Sequence, residues 1–352
     1  MRGKAAETSR PALRGKADDI RTALTGTGHV VYTSGGTYKM STHVTVPVPE
    51  GGRRMTTTRR IGPYTVLTRL DAHACGHTPV PERRFIARSA DGDRTVLLST
   101  PLPKADPSRF MAEADASRYL LGPWVLPAAE LAPPGGEAWH ARPYVPALPL
   151  PVALAVNRGP LPERTVRALA VALAETLAVM HGQELTHAGL CPAAVLLAAD
   201  GPRLGCFGAV RAAAPDGVPR QGVPGFDAAS LAPEQTAGGQ PRPLSDVYAL
   251  GATLAYAATG CTMPQREELP ATLRYLVTWC SARDPAHRPQ LSDIIALLAP
   301  DLPTAVPAGF GGFGVGSRAD PLLGVGWLPA RIVAAVAHQS ASVLAAEVQL
   351  PE

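Results

Sequence analysis

The side chains of this chain that could do chemistry include a few thiols and imidazoles, and several of them lie between His187 and Cys206. The stretch "HAGLCPAAVLLAADGPRLGCFG" places His187, Cys191 and Cys206 among small or apolar residues. Thiolates and imidazoles bind Zn²⁺ when they converge on one point. A metal or thiol sensor is therefore one hypothesis, with Cys75 and His73 as further members of the site.

The spacing of the cysteines favours a simpler interpretation. The chain has 5 Cys, and none of them belongs to a C-x-x-C pair or a zinc-finger pattern. Cysteine is also among the residue types that are most often fully buried. We therefore interpret the cysteines as small neutral residues of a buried pocket and predict no metal site.

The elements that must position this stretch change character along the chain. The short runs "YTVLTRL" and "RTVLLST" are rich in β-branched residues and leucine, which predicts strands between Ile61 and Thr100. "DPSRFMAEADASRYLL" and "PERTVRALAVALAETLAVMHG" show helical periodicity, with Asp106 or Ser108 capping the first helix and Gly182 ending the second. A β-rich beginning followed by helices predicts an α+β fold.

Helical patterns continue beyond Gly260. "LPATLRYLVTWC" and "LSDIIALLAP" predict two more helices, the second capped by Ser292. Residues 301–326 are rich in proline and glycine, which predicts a flexible linker. Residues 327–352 predict an amphipathic helix, and we expect its apolar face to dock on the same chain.

The net charge of +4 is unevenly distributed, because residues 1–60 hold the excess of lysine and arginine. We interpret this basic arm as a solvated tail with a hairpin at residues 29–48, or as a contact for an acidic partner. Met55 is an alternative start of the folded protein, so whether residues 1–54 belong to it stays open. We expect no nucleic acid partner.

Three features of the sequence bear on its compartment. An odd number of cysteines favours a reducing environment. The sequence does not open with a charged and then apolar leader, and it has no apolar run of about 18 residues. These features predict a cytoplasmic protein without a membrane span.

Four motifs occur in a fixed order: "HAGLCPAAVLL", "CFG", "LAPEQTAGGQPRPLSDVYALG" and "CSARDPAHRP". With the predicted strands and helices, they make residues 61–300 resemble the eukaryotic-like serine/threonine protein kinases of bacteria. The resemblance implies a two-lobed protein-kinase-like fold of the α+β class. Its small β-rich N-lobe would cover residues 61–143 and its larger helical C-lobe residues 144–300.

The resemblance also assigns structural roles to five residues. Glu234 and Arg288 would form the buried pair that holds the large lobe together, and Asp246 would brace the catalytic loop through backbone amides. His187 would be a structural histidine of that loop. Glu113 matches a helix glutamate that pairs with a lysine in the family, so we expect it to lack its partner here.

The residues that do the chemistry in the family are replaced in this chain. Phosphoryl transfer needs a lysine and metal ions on the phosphates and a carboxylate base for the substrate hydroxyl. By the resemblance, Gly189 stands at the base position, Ala194 and Cys206 at the two metal positions and Ser99 at the lysine position. The nearest lysine, Lys104, lies beyond two prolines.

Little of the family's nucleotide cleft is retained. The glycine-rich loop keeps only Gly76, and Asp71 adds a negative charge where phosphates would approach. Phe207 and Gly208 follow the altered metal position, and we interpret Phe207 as a packing residue between the lobes. Gly76, Phe207 and Gly208 are thus remnants of a cleft, and we predict neither ATP nor Mg²⁺ as a cofactor.

These replacements predict a catalytically inactive protein-kinase-like domain. In this interpretation the chain is a pseudokinase, not an enzyme, and regulates or scaffolds an unknown client protein by binding it. Two alternatives stay open. One is a residual serine/threonine protein kinase whose catalytic groups are displaced to other positions and which still uses ATP, and the other is the Cys/His metal or thiol sensor.

Overall fold

A computed structural model of the chain describes residues 59–72, 78–299 and 317–346. It has a small lobe rich in strands and a larger helical lobe, which are joined by the segment around Tyr144. The two-lobed α+β fold predicted from the sequence is confirmed. The arm with its hairpin, as well as His73, Cys75 and Gly76, lies outside the described residues.

The small lobe is an antiparallel sheet with one helix. Its strands are β1 (Arg60–Ile61), β2 (Tyr64–Arg69), β3 (Arg83–Ser89), β4 (Thr95–Thr100), β5 (Glu130–Leu131) and β6 (His140–Pro143). They lie in the order β1-β2-β3-β4-β6-β5. Helix α1 (Pro107–Ser117) follows β4, and the carboxylate of Asp106 caps it by accepting from the backbone N–H groups of Ser108 and Arg109.

The two faces of this sheet differ because side chains alternate along each strand. One face carries the apolar core of the small lobe, which includes Tyr64, Phe85, Leu98 and Trp139. The opposite face carries buried polar residues at positions 82, 84, 99, 140 and 142. That second face meets the large lobe, so its polar residues lie in the cleft between the lobes.

The large lobe is built around one central helix. Its helices are α2 (Leu150–Asn157), α3 (Glu163–Gly182), α4 (Ala209–Ala213), α5 (Pro233–Thr236), α6 (Pro243–Thr259), α7 (Ala271–Cys280), α8 (Leu291–Leu298) and α9 (Ala330–Ala345), and its strands are β7 (Ala147–Pro149), β8 (Val195–Ala198) and β9 (Gly201–Leu204). The alanine- and leucine-rich α3 packs against α6 and α8. Among the described residues, α3 is the one helix long and apolar enough to cross a bilayer, but most of it is buried inside the lobe.

The C-terminal part of the chain differs from the prediction of a linker over 301–326. Within the described residues 317–326, Ala319 and Leu323 are buried in the core of the large lobe, which fixes this segment against α3. Helix α9 then packs against α2 and β7. The proline and glycine content of this stretch favours a linker, whereas its apolar side chains are the feature that indicates packing against the lobe.

The last turn of α9 also contacts the small lobe. The Arg88 guanidinium on β3 donates hydrogen bonds to the carbonyl oxygens of Val343 and Ala346, with 2.7 Å for the second. A cation at a helix C-terminus is favourable because the terminal carbonyls carry partial negative charge. The hydroxyl of Tyr144 donates to Gln339 at 3.2 Å. The helix therefore docks on its own chain and bridges the two lobes.

Candidate functional site

The loop from His187 to Ala194 lies at the base of the cleft, after α3 and before β8. Asp246, near the start of α6, is 1 % exposed, and its two carboxylate oxygens accept from the backbone N–H groups of His187 at 2.8 Å and Ala188 at 2.9 Å. Hydrogen bonds to an ionised carboxylate are stronger than neutral ones. The brace that the resemblance implied for Asp246 is thus present in the structure.

The position of the family's catalytic base has no room for a side chain. A Cβ added to Gly189 would lie 1.9 Å from the carbonyl oxygen of Cys206. Cys206 itself has a φ of +60°, a left-handed conformation that is uncommon for residues other than glycine. The backbone around Cys206 therefore occupies the space that the side chain of a base would need at position 189. A general base has to come from another element.

The two metal positions offer no ligand for a hard cation. Ala194 has no polar side-chain atom, and Cys206 is a buried thiol. Burial raises the pKa of the Cys206 thiol well above its usual value and that of the Cys191 thiol to about 11. Mg²⁺ prefers oxygen ligands, and both thiols stay protonated at neutral pH. The residues at these positions do not fit Mg²⁺.

His187 is a buried structural residue in this loop. Its ring is fully buried and meets the ring of Phe207 edge-on, with the centroids 5.8 Å apart. Within the described residues, neither ring nitrogen has a hydrogen-bond partner. Burial lowers the pKa of His187 to about 4, although the Asp246 carboxylate acts in the opposite direction.

This burial predicts a loss of stability in mild acid. The unfolded chain takes up a proton at His187 below pH 6.5, whereas the folded chain does so only near pH 4, so the free energy of unfolding falls by about 3 kcal/mol across that interval. His187→Phe keeps the ring and removes the titration. We expect denaturant titrations to show a flatter pH dependence for this variant between pH 6.5 and 4. An unchanged pH dependence would assign the loss to other groups.

Glu113 on α1 has a partner, which corrects the expectation that it stands alone. The Arg211 guanidinium donates to both carboxylate oxygens, with its Nε 2.8 Å from Oε1 and a terminal nitrogen 2.6 Å from Oε2. Arg211 lies on α4, directly after "CFG". In the family a lysine pairs with this glutamate. Here an arginine takes its place, and it comes from the segment that follows the altered metal position. The arginine in "CFGAVR" was the sequence signal.

Glu82, the cleft-facing residue just before β3, lies at the centre of the polar residues of the cleft. Ser99 donates to it at 2.9 Å, the nearest nitrogen of His140 lies 3.6 Å away and that of Arg142 lies 4.0 Å away. Burial opposes ionisation of Glu82, but His140 and Arg142 outweigh it and hold the pKa of the carboxyl below its usual range. Glu82 is therefore an anion at neutral pH. Burial also lowers the pKa of the neighbouring His140.

Arg84 on β3 supplies a cation beside the lost lysine position. It is paired directly across the sheet with Ser99 on β4, so the two side chains point to the same face. One terminal nitrogen donates to the carbonyl oxygen of Ala193 at 2.7 Å, and Nε donates to Asp71 at 3.1 Å. Burial disfavours the charged guanidinium, but the Asp71 carboxylate outweighs it and raises the pKa of Arg84.

Arg84 is not apparent from the sequence because the family motif places its lysine on β4 and Arg84 lies on β3. Strand pairing brings residues that are 15 positions apart in the sequence into direct contact, and a register is not readable from one strand. The feature of the sequence that points to Arg84 is an arginine on the neighbouring strand, at a position whose side chain faces the same side of the sheet as Ser99. Asp71, predicted as a repelling charge, instead pairs with Arg84 at 2.5 Å.

A cavity of about 440 Å³ adjoins the loop of Cys191, and Cys191, Pro192 and Asp227 are among its lining residues. The Asp227 carboxylate accepts from the backbone N–H of Ala229 at 3.1 Å and from the hydroxyl of Thr262 at 2.5 Å. Asp227 is the one carboxylate that lines this cavity among the described residues. It places an anionic oxygen next to the loop that lost its base.

The large lobe is held by the pair that the resemblance implied. The Arg288 guanidinium donates to both oxygens of Glu234, at 2.6 Å and 2.8 Å. Its remaining hydrogen bonds are to backbone carbonyls, including that of Leu244 at 2.8 Å, and the guanidinium lies over the ring of Tyr248. The Arg288 side chain is fully buried, so its charge depends on these contacts.

Comparisons with known proteins identify the relatives of this chain. No family model matches it. It is 34% identical over 264 residues to the probable serine/threonine-protein kinase PkwA of Thermomonospora curvata, covering 69% of this chain and 34% of that protein. It is 33% identical to the serine/threonine-protein kinase AfsK of Streptomyces coelicolor, covering 78% of this chain and 35% of that protein. The chain thus spans about a third of the length of these relatives.

A solved structure agrees with the fold. The kinase domain of PknI from Mycobacterium tuberculosis superposes with a TM-score of 0.52 and 21% identity, covering 70% of this chain and 99% of that domain. The fold of the chain is that of a protein kinase domain, and the sequence relatives are bacterial serine/threonine protein kinases.

These findings correct the prediction of an inactive domain that is not an enzyme. The relatives are named as serine/threonine protein kinases, and nothing in them indicates inactivity. The prediction rested on the replaced motif positions alone, and the structure places a further cation, Arg84, directly across from Ser99 on the neighbouring strand. Of the two alternatives, the kinase with displaced groups is the better supported.

Proposed function

We propose that this chain, a relative of bacterial serine/threonine protein kinases with the protein kinase fold, transfers the γ-phosphoryl group of ATP to a serine or threonine hydroxyl of a protein. Displaced groups do the work of the missing ones. The observation that carries this proposal is Arg84, a buried cation directly opposite Ser99 and in contact with the loop of Ala193. A cation that neutralises the phosphates is a basic requirement of this reaction.

The apolar side of the cleft receives the nucleobase in this proposal. Ile86 and Leu97 of the small lobe and Leu196 of the large lobe belong to one buried apolar cluster that spans the two lobes. Val343 of α9 also belongs to this cluster, so a nucleobase bound there displaces the end of α9. An aromatic base is stabilised by burial between such residues. We assign the nucleobase to this cluster and the phosphates to Arg84. ATP, when bound, supplies the phosphoryl group and ADP as the leaving group.

Asp227 is the general base in this proposal. Its carboxylate takes the proton of the substrate hydroxyl as the hydroxyl oxygen forms a bond to the γ-phosphorus and the bond from that phosphorus to the β–γ bridging oxygen breaks. The electron pair of the broken bond leaves with ADP. The cavity that Asp227 lines beside Cys191 and Pro192 is open enough to take a side chain of a protein substrate.

The test of this proposal compares two arginines on one strand. Arg84→Met removes the cation in the cleft, and we expect kcat/KM for ATP to fall by about 100-fold or more, because one preorganised charge is worth that much. Arg83→Met changes the next residue, which faces away from the cleft. We expect little effect from it. Equal rates for the two variants would contradict the assignment of Arg84.

Metal and thiol chemistry receives less support than phosphoryl transfer. Among residues 59–72, 78–299 and 317–346, no group of three or more His, Cys, Asp or Glu residues is placed to hold a metal ion. Cys191 and Cys206 are buried thiols with raised pKa values, which disfavours the reactive thiolate.

Partner and place in the cell follow from the proposed reaction. In this proposal the unknown client protein is the substrate, and it has an accessible serine or threonine. The expected compartment is the cytoplasm, where ATP is abundant.

A further inference from the structure

We infer that Arg84 and Arg142 form a phosphate site that works without a divalent cation, and that Asp71 occupies this site in place of a phosphate when no nucleotide is bound. The ligand class is a nucleoside triphosphate. The inference rests on the proposed function for the identity of that ligand, but it concerns binding and not transfer.

The contacts of Arg84 resemble those of an arginine that holds a phosphate. Its Nε and one terminal nitrogen donate to the two carboxylate oxygens of Asp71, at 3.1 Å and 2.5 Å. Arginine binds carboxylate and phosphate oxygens with this same paired geometry. A phosphate that displaced Asp71 would meet the same two donors. Asp71 is therefore an internal competitor of the phosphate.

Arg142 provides a second cation with unused donor capacity. It is 3 % exposed, and within the described residues its Nε–H has no hydrogen-bond partner. Its nearest anionic oxygen, on Glu82, is 4.0 Å away, which is beyond hydrogen-bond distance. A buried donor without an acceptor is costly, and an anion in the cleft would satisfy it.

The same cleft offers little to a divalent cation. Ala194 and the protonated thiol of Cys206 stand at the two metal positions of the family. The carboxylates nearby already have partners: Asp71 pairs with Arg84, Glu113 pairs with Arg211, and Glu82 accepts from the Ser99 hydroxyl. The positive charge that the phosphates meet in this cleft therefore comes from guanidinium groups.

Asp71→Asn tests the competition directly. Asparagine has nearly the shape of aspartate but no charge, so Arg84 is released for the phosphates, and we expect ATP to bind about 10-fold more tightly. A variant that merely damaged the fold would weaken binding instead. Asp91→Asn is the matched control, because it removes the same charge from an exposed turn of the same lobe. It should leave the affinity unchanged.

The measurement is calorimetric titration of the full chain with ATP, once in EDTA and once with excess Mg²⁺. We expect dissociation constants that agree within about 3-fold in the two buffers. Arg84→Met and Arg142→Met should each weaken binding by about 10-fold in EDTA. Binding seen only with Mg²⁺, or Asp71→Asn that fails to bind ATP more tightly than Asp91→Asn does, would overturn the inference.

Binding and transfer can fail separately in this design. A chain that binds ATP in EDTA but transfers no phosphate would support the phosphate site and contradict the proposed function. A chain that transfers phosphate but binds ATP only with Mg²⁺ would support the proposed function and contradict the metal-free phosphate site.

Discussion

Asp227→Asn lowers kcat by about 10²- to 10⁴-fold, the range expected for loss of a general base, while KM for ATP stays close to its original value. The reason is the position of Asp227 in the cavity beside the loop of Cys191, away from the apolar cluster that we assign to the nucleobase. In asparagine, Oδ1 still accepts from the backbone N–H of Ala229, and the amide nitrogen that replaces the second oxygen donates to the Thr262 hydroxyl, so the local structure should persist.

A pH profile separates a catalytic role of Asp227 from a structural one. If the carboxylate takes up the substrate proton, the acidic limb of the kcat profile disappears in Asp227→Asn. Thr262→Val is the matched control, because it removes a partner of the carboxylate and leaves the charge in place. We expect this control to retain the acidic limb. An Asp227→Asn variant with kcat within about 3-fold of the original would contradict the assignment.

Arg288→Met lowers the free energy of unfolding by about 3 to 5 kcal/mol, which is the largest effect on stability that we expect from one substitution outside the apolar core. Arg288 is buried and donates to both oxygens of Glu234, so its loss leaves a carboxylate without its partner. Denaturant titration measures the change.

Two further variants test this expectation. Arg283→Met alters an exposed arginine of the same motif and should change the stability by less than about 0.5 kcal/mol. The double variant Glu234→Gln with Arg288→Met should be less destabilised than the sum of the two single variants, because the pair is removed together. Additive losses would show that the two residues act independently.

Residues whose roles depend on local motifs could be predicted from the sequence. Asp106 caps α1, and Asp246 and the Glu234–Arg288 pair have the contacts that their motifs implied. The cap at Asp106 is readable within one turn, whereas the partners of Asp246 and Glu234 lie 59 and 54 positions away and were identified through the family motifs. Ser292 shows the limit of such local signals. The sequence predicts it as the cap, but the N-cap of α8 is Gln290, two residues earlier, and the Asp293 carboxylate accepts from the backbone N–H of Gln290.

The candidate site could not be predicted, because its members come together through strand register and loop path. Arg84 reaches the place beside Ser99 only by pairing of β3 with β4, and Asp227 reaches the loop of Cys191 only by the course of the segment after α4. Arg211 finds Glu113 in the same way. Each family motif shows only that its own catalytic residue is replaced. A side chain that another strand or loop supplies lies outside the motif and cannot be recognised from it.

We propose that groups displaced from their usual positions in the family still transfer phosphate in this chain. The most direct measurement uses ATP labelled at the γ-phosphate, the full chain and a serine- and threonine-rich protein substrate, followed by phosphoamino-acid analysis. We expect labelled phosphoserine or phosphothreonine at a rate that falls to background in the double variant Arg84→Met with Asp227→Asn. The same label from the original chain and the double variant, or none from either, would contradict it.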